Sequence, residues 1–426
     1  MDLSTDEVGQ EIEIIETTKG KPLAIFNGYQ FRKYRQNENG TVWVCLNKKK
    51  DTCKGRMRTK NIEIINFSDH LCKPDVATSE VKKQFNNARK RVREESSYTA
   101  SEIFHPNSKD EIIVPDDISK FGNNYQFLLF GDNVEERIIA FLSSTQREEA
   151  STYSHFFFDG TFKSCSKQFL QIYTIHVDIG STSSETNVIP VIFVLLPNKT
   201  NRLFKLIKEH IPNFNPDIIT IDFEAATIQA IKDVFSNTQI SGCNYHFNQS
   251  LWRKVQNIGL VDEYRDNDEI RINIRMCSAL ALIPLQDIDE GWLIIMENSP
   301  DNEKLKLFHD YFVEQWLENT IISKYIWNCF QKRHRTNNIV EGWNSRLNKQ
   351  LNRPRPTFLA LYKCLKLEAL HGDLLFDRHF LSLEGKKRKK CYITLDSRIE
   401  KTLKSYEEDR DLKKCLTILS FIQKLD

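Results

Sequence analysis

Four residues with metal-seeking side chains lie in the first fifth of the chain: Cys45, Cys53, His70 and Cys72. Seven residues separate the first two cysteines, sixteen more lead to the histidine, and Cys72 follows after one. Three thiolates and an imidazole are the four soft or borderline donors that zinc takes in a closed tetrahedron. Phe26, Tyr29, Phe31, Tyr34 and Trp43 supply aromatic packing around them. A structural zinc contributes roughly 10 to 16 kcal/mol to folding a unit of this size, so the metal would decide whether it folds. The alternative is a small β-rich module without metal, in which Cys72 is a bystander.

A second set of residues is suited to phosphodiester chemistry. Asp159 follows Phe156-Phe-Phe and precedes Gly160-Thr-Phe, which puts an acid inside an otherwise apolar run. Burying a lone carboxylate is costly without a cation or hydrogen-bond donors, so the placement favours a functional group over a strand-end aspartate. Asp222 ends Ile218-Ile-Thr-Ile, and Glu224 follows at the spacing that points two side chains to one face of a strand. Either could instead cap the helix that begins at Ala225. Glu341, in Thr336-Asn-Asn-Ile-Val-Glu-Gly-Trp-Asn, reads by periodicity as an ordinary helix-surface glutamate, with Asn337 or Asn338 as cap and Ile339, Val340 and Trp343 holding the helix inward. Converging carboxylates are what hard Mg²⁺ or Mn²⁺ ions require.

The elements that must position these acids follow from hydrophobic periodicity. From Tyr153 the chain runs through Phe156–Phe162, Phe169–Val177 and Val188–Leu196, three β-rich segments that predict an antiparallel meander. A helix over Asn201 to His210, a strand at Ile218–Asp222, a helix over Ala225 to Phe235 and a strand over Gln239 to His246 come next. Three strands, helix, strand, helix, strand is the order of a ribonuclease H-like α/β fold, shared with other mixed folds. In such a core the acids belong on the first strand, at the end of the fourth, and on a later helix.

Residues 247–335 read as a nearly continuous helical insertion broken at Pro284 and Pro300, and residues 352–426 as a helical C-terminal region with the basic run Lys386-Lys-Arg-Lys-Lys. That run fits a nuclear import signal or a solvated end equally well. Upstream, residues 1–18 read as an acidic disordered leader, 76–95 as a mixed-charge linker helix, and 133–142 as a helical stretch packing onto the core.

Composition bounds the class. With 426 residues and 40% hydrophobic residues the chain can bury at least one full core. The formal net charge of +2 hides a local asymmetry, 12 Lys/Arg against 5 Asp/Glu between residues 20 and 75, as a polyanion-binding module requires. Lys48, Lys49, Lys50, Lys54, Arg56 and Arg58 surround the second cysteine and are the candidates for phosphate contacts. No run approaches the roughly 18 apolar residues that cross a bilayer. The acidic amino terminus lacks the pattern of a signal peptide, and ten sparse cysteines suit a reducing compartment.

At the aromatics, Trp43-Val-Cys45, Cys53 and His70-Leu-Cys72, the chain resembles the FLYWCH-type zinc finger, with cysteine replacing the family's final histidine. The resemblance implies binding of DNA or protein through β-strands. Asp159-Gly-Thr-Phe, Ile221-Asp-Phe-Glu-Ala-Ala, Gly242-Cys-Asn-Tyr-His-Phe-Asn-Gln-Ser-Leu-Trp-Arg and Thr336-Asn-Asn-Ile-Val-Glu-Gly-Trp-Asn together resemble the core of a Mutator-like element (MULE) transposase, over about Ser151 to Leu351. This second resemblance implies a ribonuclease H-like core with Asp159, Asp222 and Glu341 as its acidic triad, Glu224 in support, and a Cys-x-x-His pair, Cys243 and His246, of open role. It also implies double-stranded DNA as partner, a homo-oligomer that joins two transposon ends, and the nucleus as place of action. A domesticated descendant that binds DNA or partners without cutting is the alternative.

Overall fold

The structure, a computed structural model, describes residues 11–17, 20–48, 53–94, 120, 121, 125, 126, 128–131, 137–198, 202–423 and 425. The chain divides into two compact units, one of residues 1–103 with 366–384, the other of residues 104–365 with 385–426.

In the first unit, β1 (Glu13–Glu16), β2 (Pro22–Phe26), β3 (Tyr29–Asn37), β4 (Gly40–Cys45), β5 (Arg56–Lys60) and β6 (Glu63–Phe67) form a six-stranded antiparallel sheet in sequential order. Period-2 alternation sends Ala24, Phe26, Phe31, Trp43, Met57, Ile64 and Phe67 to one face, where they form the core. The Trp43 indole N–H, buried there, donates to Thr59 Oγ1 at 3.0 Å. Residues 11–17, expected within a disordered leader, instead supply the edge strand β1. Ile12 and Ile15 are 5% and 3% exposed, and that burial offsets the ordering cost. The rest of the expected leader, residues 1–10 and 18, lies outside the described residues. Helix α1 (Val76–Glu94) takes the span expected of the linker helix, and it is docked: Ser79 Oγ donates to the Gly28 carbonyl and Asn86 Oδ1 accepts the Glu16 N–H.

In the second unit, β7 (Lys120–Phe121) and β8 (Tyr125–Gln126) make a short hairpin. Strands β9 (Leu128–Gly131) and β10 (Ile139–Phe141), helix α2 (Ser144–Glu149), and strands β11 (His155–Thr161), β12 (Gln171–Asp178), β13 (Glu185–Thr186) and β14 (Val188–Leu196) follow. Helix α3 (Arg202–His210), β15 (Ile218–Ile221), α4 (Ala225–Val234) and β16 (Gln239–Gly242) complete the sheet region. The seven-stranded sheet has the order β16-β15-β11-β12-β14-β10-β9. Strands β16, β15 and β11 are parallel and the others antiparallel. The expected helix over 133–142 is overturned for its described part, because Ile139–Phe141 pairs with β14 and every residue of it is buried. An apolar run of that length is ambiguous between helix and buried strand until a partner edge decides.

The helical segment comprises α5 (Asn244–Asn257), α6 (Val261–Asp266), α7 (Asp268–Ala279), α8 (Ile288–Glu297), α9 (Glu303–Phe312) and α10 (Lys324–Trp327). The last expected strand stops at Gly242, and Cys243 becomes the N-cap of α5. Helices α11 (Asn338–Leu351) and α12 (Phe358–Phe380), strand β17 (Lys386–Lys387), and helices α13 (Lys390–Asp409) and α14 (Leu412–Ile422) end the order. The basic run is thus built in, its first two lysines pairing with β13. Among the described residues no helix is long and apolar enough to cross a membrane.

Strand β11 is central and buried on both faces. Phe156 and Phe158 pack against Phe214 and Phe204 on one side, while Phe157 packs against His334 on the other. Asp159 shares the face of Phe157, and on it Asn344 of α11 reaches Asp159. Trp343 holds α11 down, 5.7 Å from Phe193 and 5.2 Å from His176 between ring centres.

Candidate metal centres

In the finger, Cys45 ends β4, Cys53 precedes β5, and His70 and Cys72 follow β6. The Cys45 and Cys72 sulfurs are 3.6 Å apart, Cys53 and Cys72 3.5 Å, and His70 Nδ1 is 3.5 Å from both Cys53 and Cys72. A zinc tetrahedron with bonds of about 2.3 Å to sulfur has sulfur–sulfur edges of about 3.8 Å, so these donors fit one ion. His70 would ligate through Nδ1, its ring stacked on Tyr29 at 3.9 Å. Burial pushes the Cys45 thiol up to about 12 and lowers the His70 imidazole below its ordinary value, against the opposing charge of Asp69. Burial also works against a Cys53 thiolate, yet the backbone N–H groups of Gly55, Cys72 and Leu71 hold it down at about 7. Metal binding here would release protons from the cysteine thiols.

Sequence reasoning passed over Gly55. A Cβ there would lie 2.6 Å from both ring nitrogens of His70, so only glycine leaves room for the ligand. The Gly55 carbonyl also accepts the Cys45 N–H at 3.0 Å, which fixes two ligand segments to each other. Lys48 closes a short 3-10 turn after Cys45, Lys54 is exposed, and Lys49 and Lys50 lie outside the described residues.

In the second unit, Asp159 lies on β11, Asp222 immediately after β15, and Glu341 in the first turn of α11. Because β15 is the parallel neighbour of β11, its end brings Asp222 beside Asp159. Burial, then the charge of Asp222, pushes Asp159 up to about 7, with Glu341 adding to the effect. Glu341 is raised by burial and by Asp222, against the opposing pull of His246. Asp159 Oδ1 accepts its neighbour's Gly160 N–H at 2.9 Å and Oδ2 accepts the Asn344 amide at 2.6 Å. Mutually repelling oxygen donors of this kind suit a hard divalent cation.

His246 joins the acids. Its Nδ1 lies 2.6 Å from Asp222 Oδ1 and its Nε2 3.5 Å from Glu341 Oε1. The first contact is short but lacks the direction of a hydrogen bond. Burial alone would lower the imidazole, and Asp222 with Cys243 overrides it, raising the group to about 11. Donor atoms of Asp222, Cys243 and His246 all lie within 4.8 Å of one another. Cys243 Sγ accepts the Asn337 N–H at 3.2 Å, and the Asn337 side chain donates to the Phe158 carbonyl at 3.4 Å. The Cys-x-x-His pair therefore ties the start of α11 to the strands that carry the aspartates. Glu224 is the N-cap residue of α4 without a capping bond to the backbone, and its carboxylate accepts from Thr227. Gly242 is needed where it stands, since a Cβ would collide with the Phe223 ring between Asp222 and Glu224.

A third group, His155, Asp178 and His334, escaped sequence reasoning. Asp178 accepts from His334 Nε2 at 2.8 Å and from the Ser181 hydroxyl at 2.6 Å, which closes the turn after β12. Lys332 and Arg333 contribute positive charge there, which disfavours a cation.

Two known domain families match separate parts of the chain. Residues 155–250 match the MULE transposase domain, a span that includes Asp159, Asp222, Cys243 and His246 and stops before Glu341. Residues 14–71 match the FLYWCH zinc finger domain. No curated protein matches the chain. The chain is transposase-related: a FLYWCH zinc finger stands at its N-terminal end, followed by a MULE transposase domain, and the finger together with its Cys/His cluster points to zinc.

Proposed function

We propose that the chain is a MULE-type DNA transposase that binds duplex DNA through its finger and cuts and joins phosphodiesters at Asp159, Asp222 and Glu341. The observation that carries this reading is the convergence of three acids: Asp159 on β11, Asp222 at the matching position just past its parallel partner β15, and Glu341 of α11, which shares His246 with Asp222. The order β14-β12-β11-β15-β16, with the last two parallel to β11, supports a ribonuclease H-like core. On this reading the finger comprises about 19–75 together with β1, followed by a linker region at 76–150, the core at 151–351 with its insertion at about 247–335, and the C-terminal region at 352–426.

Bound Mg²⁺ or Mn²⁺ would supply Lewis-acid activation of water and stabilisation of the leaving oxygen. Asp159, Asp222 and Glu341 would hold the ions, Asn344 orients Asp159, and His246 sets the approach of Asp222 to Glu341. Joining two transposon ends calls for a homo-oligomer, and access to chromosomal DNA calls for the nucleus. The test is metal-dependent nicking of duplexes carrying the inverted repeats that flank the coding region. Wild-type cutting that is abolished in Asp159→Asn and Glu341→Gln supports the reading, and full activity in Asp159→Asn overturns it.

One observation favours the non-cutting, domesticated alternative. His246 stands 2.6 Å from Asp222 and 3.5 Å from Glu341, and where protonated it would compete with a cation for both acids. Tight duplex binding by wild-type protein without nicking in either metal would decide for that alternative.

A further inference from the structure

The finger's sheet has a second face, and the strand register makes it basic. Arg32 pairs with Val44 and Val44 with Arg56 across β3, β4 and β5; one row on, Arg35 pairs with Val42 and Val42 with Arg58. Both rows lie opposite the Trp43 row that faces the core, so all four arginines project from one surface. Strand spacing and rise place them at the corners of a patch of about 10 Å by 7 Å. Arg32, Arg35 and Arg56 are exposed and Arg58 half-buried, and none forms an ion pair with any described residue. Val42 and Val44 between them are only 8% and 3% exposed, as expected where arginine stems lie along apolar side chains with their heads in water.

Tyr34 adds a second feature. It occupies the register shift between Lys33 and Arg35, so it has no cross-strand partner, and it is 65% exposed amid the arginines. Helix α1 covers the other end of this face, where Ile15, Leu23 and Ile25 are buried together, and leaves the arginine rows uncovered.

We propose that this outer face, Arg32, Arg35, Arg56 and Arg58 around Tyr34, is where the finger grips the phosphate backbone of duplex DNA. The inference rests on the DNA-binding reading above and relocates its contact surface. The sequence marks the lysines around Cys53 together with Arg56 and Arg58, whereas the register adds Arg32 and Arg35 and groups the four. Four guanidinium forks with no ion pair among the described residues, within one small patch, match the fixed spacing of phosphates, and Arg engages phosphate in bidentate fashion.

The test uses the zinc-loaded full chain, without Mg²⁺ or Mn²⁺, and a short mixed-sequence DNA duplex titrated at several salt concentrations. Arg32→Gln with Arg35→Gln, and Arg56→Gln with Arg58→Gln, should each flatten the log-affinity against log-salt slope by about 1.8, at about 0.9 for each phosphate no longer neutralised. Arg32→Lys with Arg35→Lys should keep the slope, since the charges remain. Lys33→Gln, on the same strand but in the core-facing row, should also leave it unchanged. Zinc content and far-ultraviolet circular dichroism report whether each variant is folded. A steep wild-type slope that both glutamine pairs preserve, or that Lys33→Gln reduces equally, overturns the proposed face. Absent or salt-independent wild-type binding instead removes the DNA-binding reading itself.

Discussion

Asn344 donates its side-chain amide to Asp159 Oδ2 over 2.6 Å, three residues past Glu341 on the same helix. One helical face therefore brings an acid to the cluster and orients another. Asn344→Ala should lower metal-dependent nicking about 10- to 100-fold, the usual cost of losing a group that orients a metal ligand. Asn344→Asp, which brings a further negative charge instead of the donor, should fare no better. Unchanged nicking in both variants would remove Asn344 from any positioning role.

Asp159 links the cluster to stability. Its carboxyl titrates near 7 in the folded chain through burial first and Asp222 second, against an unfolded value of 3.8. A raised acid binds more protons folded than unfolded between those values, so its contribution is full below about pH 4 and is lost as pH rises through about 7. Without Mg²⁺ or Mn²⁺, Asp159→Asn should be more stable than wild type at pH 8 by about 2 kcal/mol and equal to it near pH 4. Urea unfolding at the two pH values checks this, and an equal difference at both would refute it.

The finger allows a steric test. Gly55→Ala places a methyl against both nitrogens of the His70 ring, and the stacked Tyr29 limits the ring's retreat. Zinc affinity, read by competition with a chromophoric chelator, should fall at least about 10-fold, as when the shell around a metal ligand is disturbed. An unaltered affinity would mean that His70 does not ligate.

Cys72 can be separated from a bystander by replacement. Cys72→Ala should lose at least about two orders of magnitude in zinc affinity, since one of four donors vanishes, whereas Cys72→His should keep most of it. Equal affinities for wild type and Cys72→Ala would reduce the site to three ligands.

Trp343 is 5% exposed and packs on Phe193 and His176. Trp343→Ala should cost about 3–5 kcal/mol in unfolding free energy. Trp343→Phe should keep most of the stability and of any nicking. If Trp343→Ala unfolds like wild type, α11 is held by other contacts.

Much of this protein was legible in the sequence wherever the information was local. The apolar runs at 156–158 and 218–221 fall on β11 and β15 because aromatic and β-branched content acts over a few residues. The four finger residues whose donor atoms cluster were legible as candidate ligands because zinc accepts so few donor types. Residues 139–141, by contrast, are a strand only because β14 offers an edge, and residues 11–17 are ordered because β2 pairs with them and Ile62 and Glu63 receive Ile12 and Glu11. The meeting of His246 with Asp222 and Glu341, the grip of Asn344 on Asp159, and the alignment of Arg32 and Arg35 with Arg56 and Arg58 depend on strand register and helix docking between distant segments. Those pairings are set by which surfaces bury together, and no local spacing encodes them.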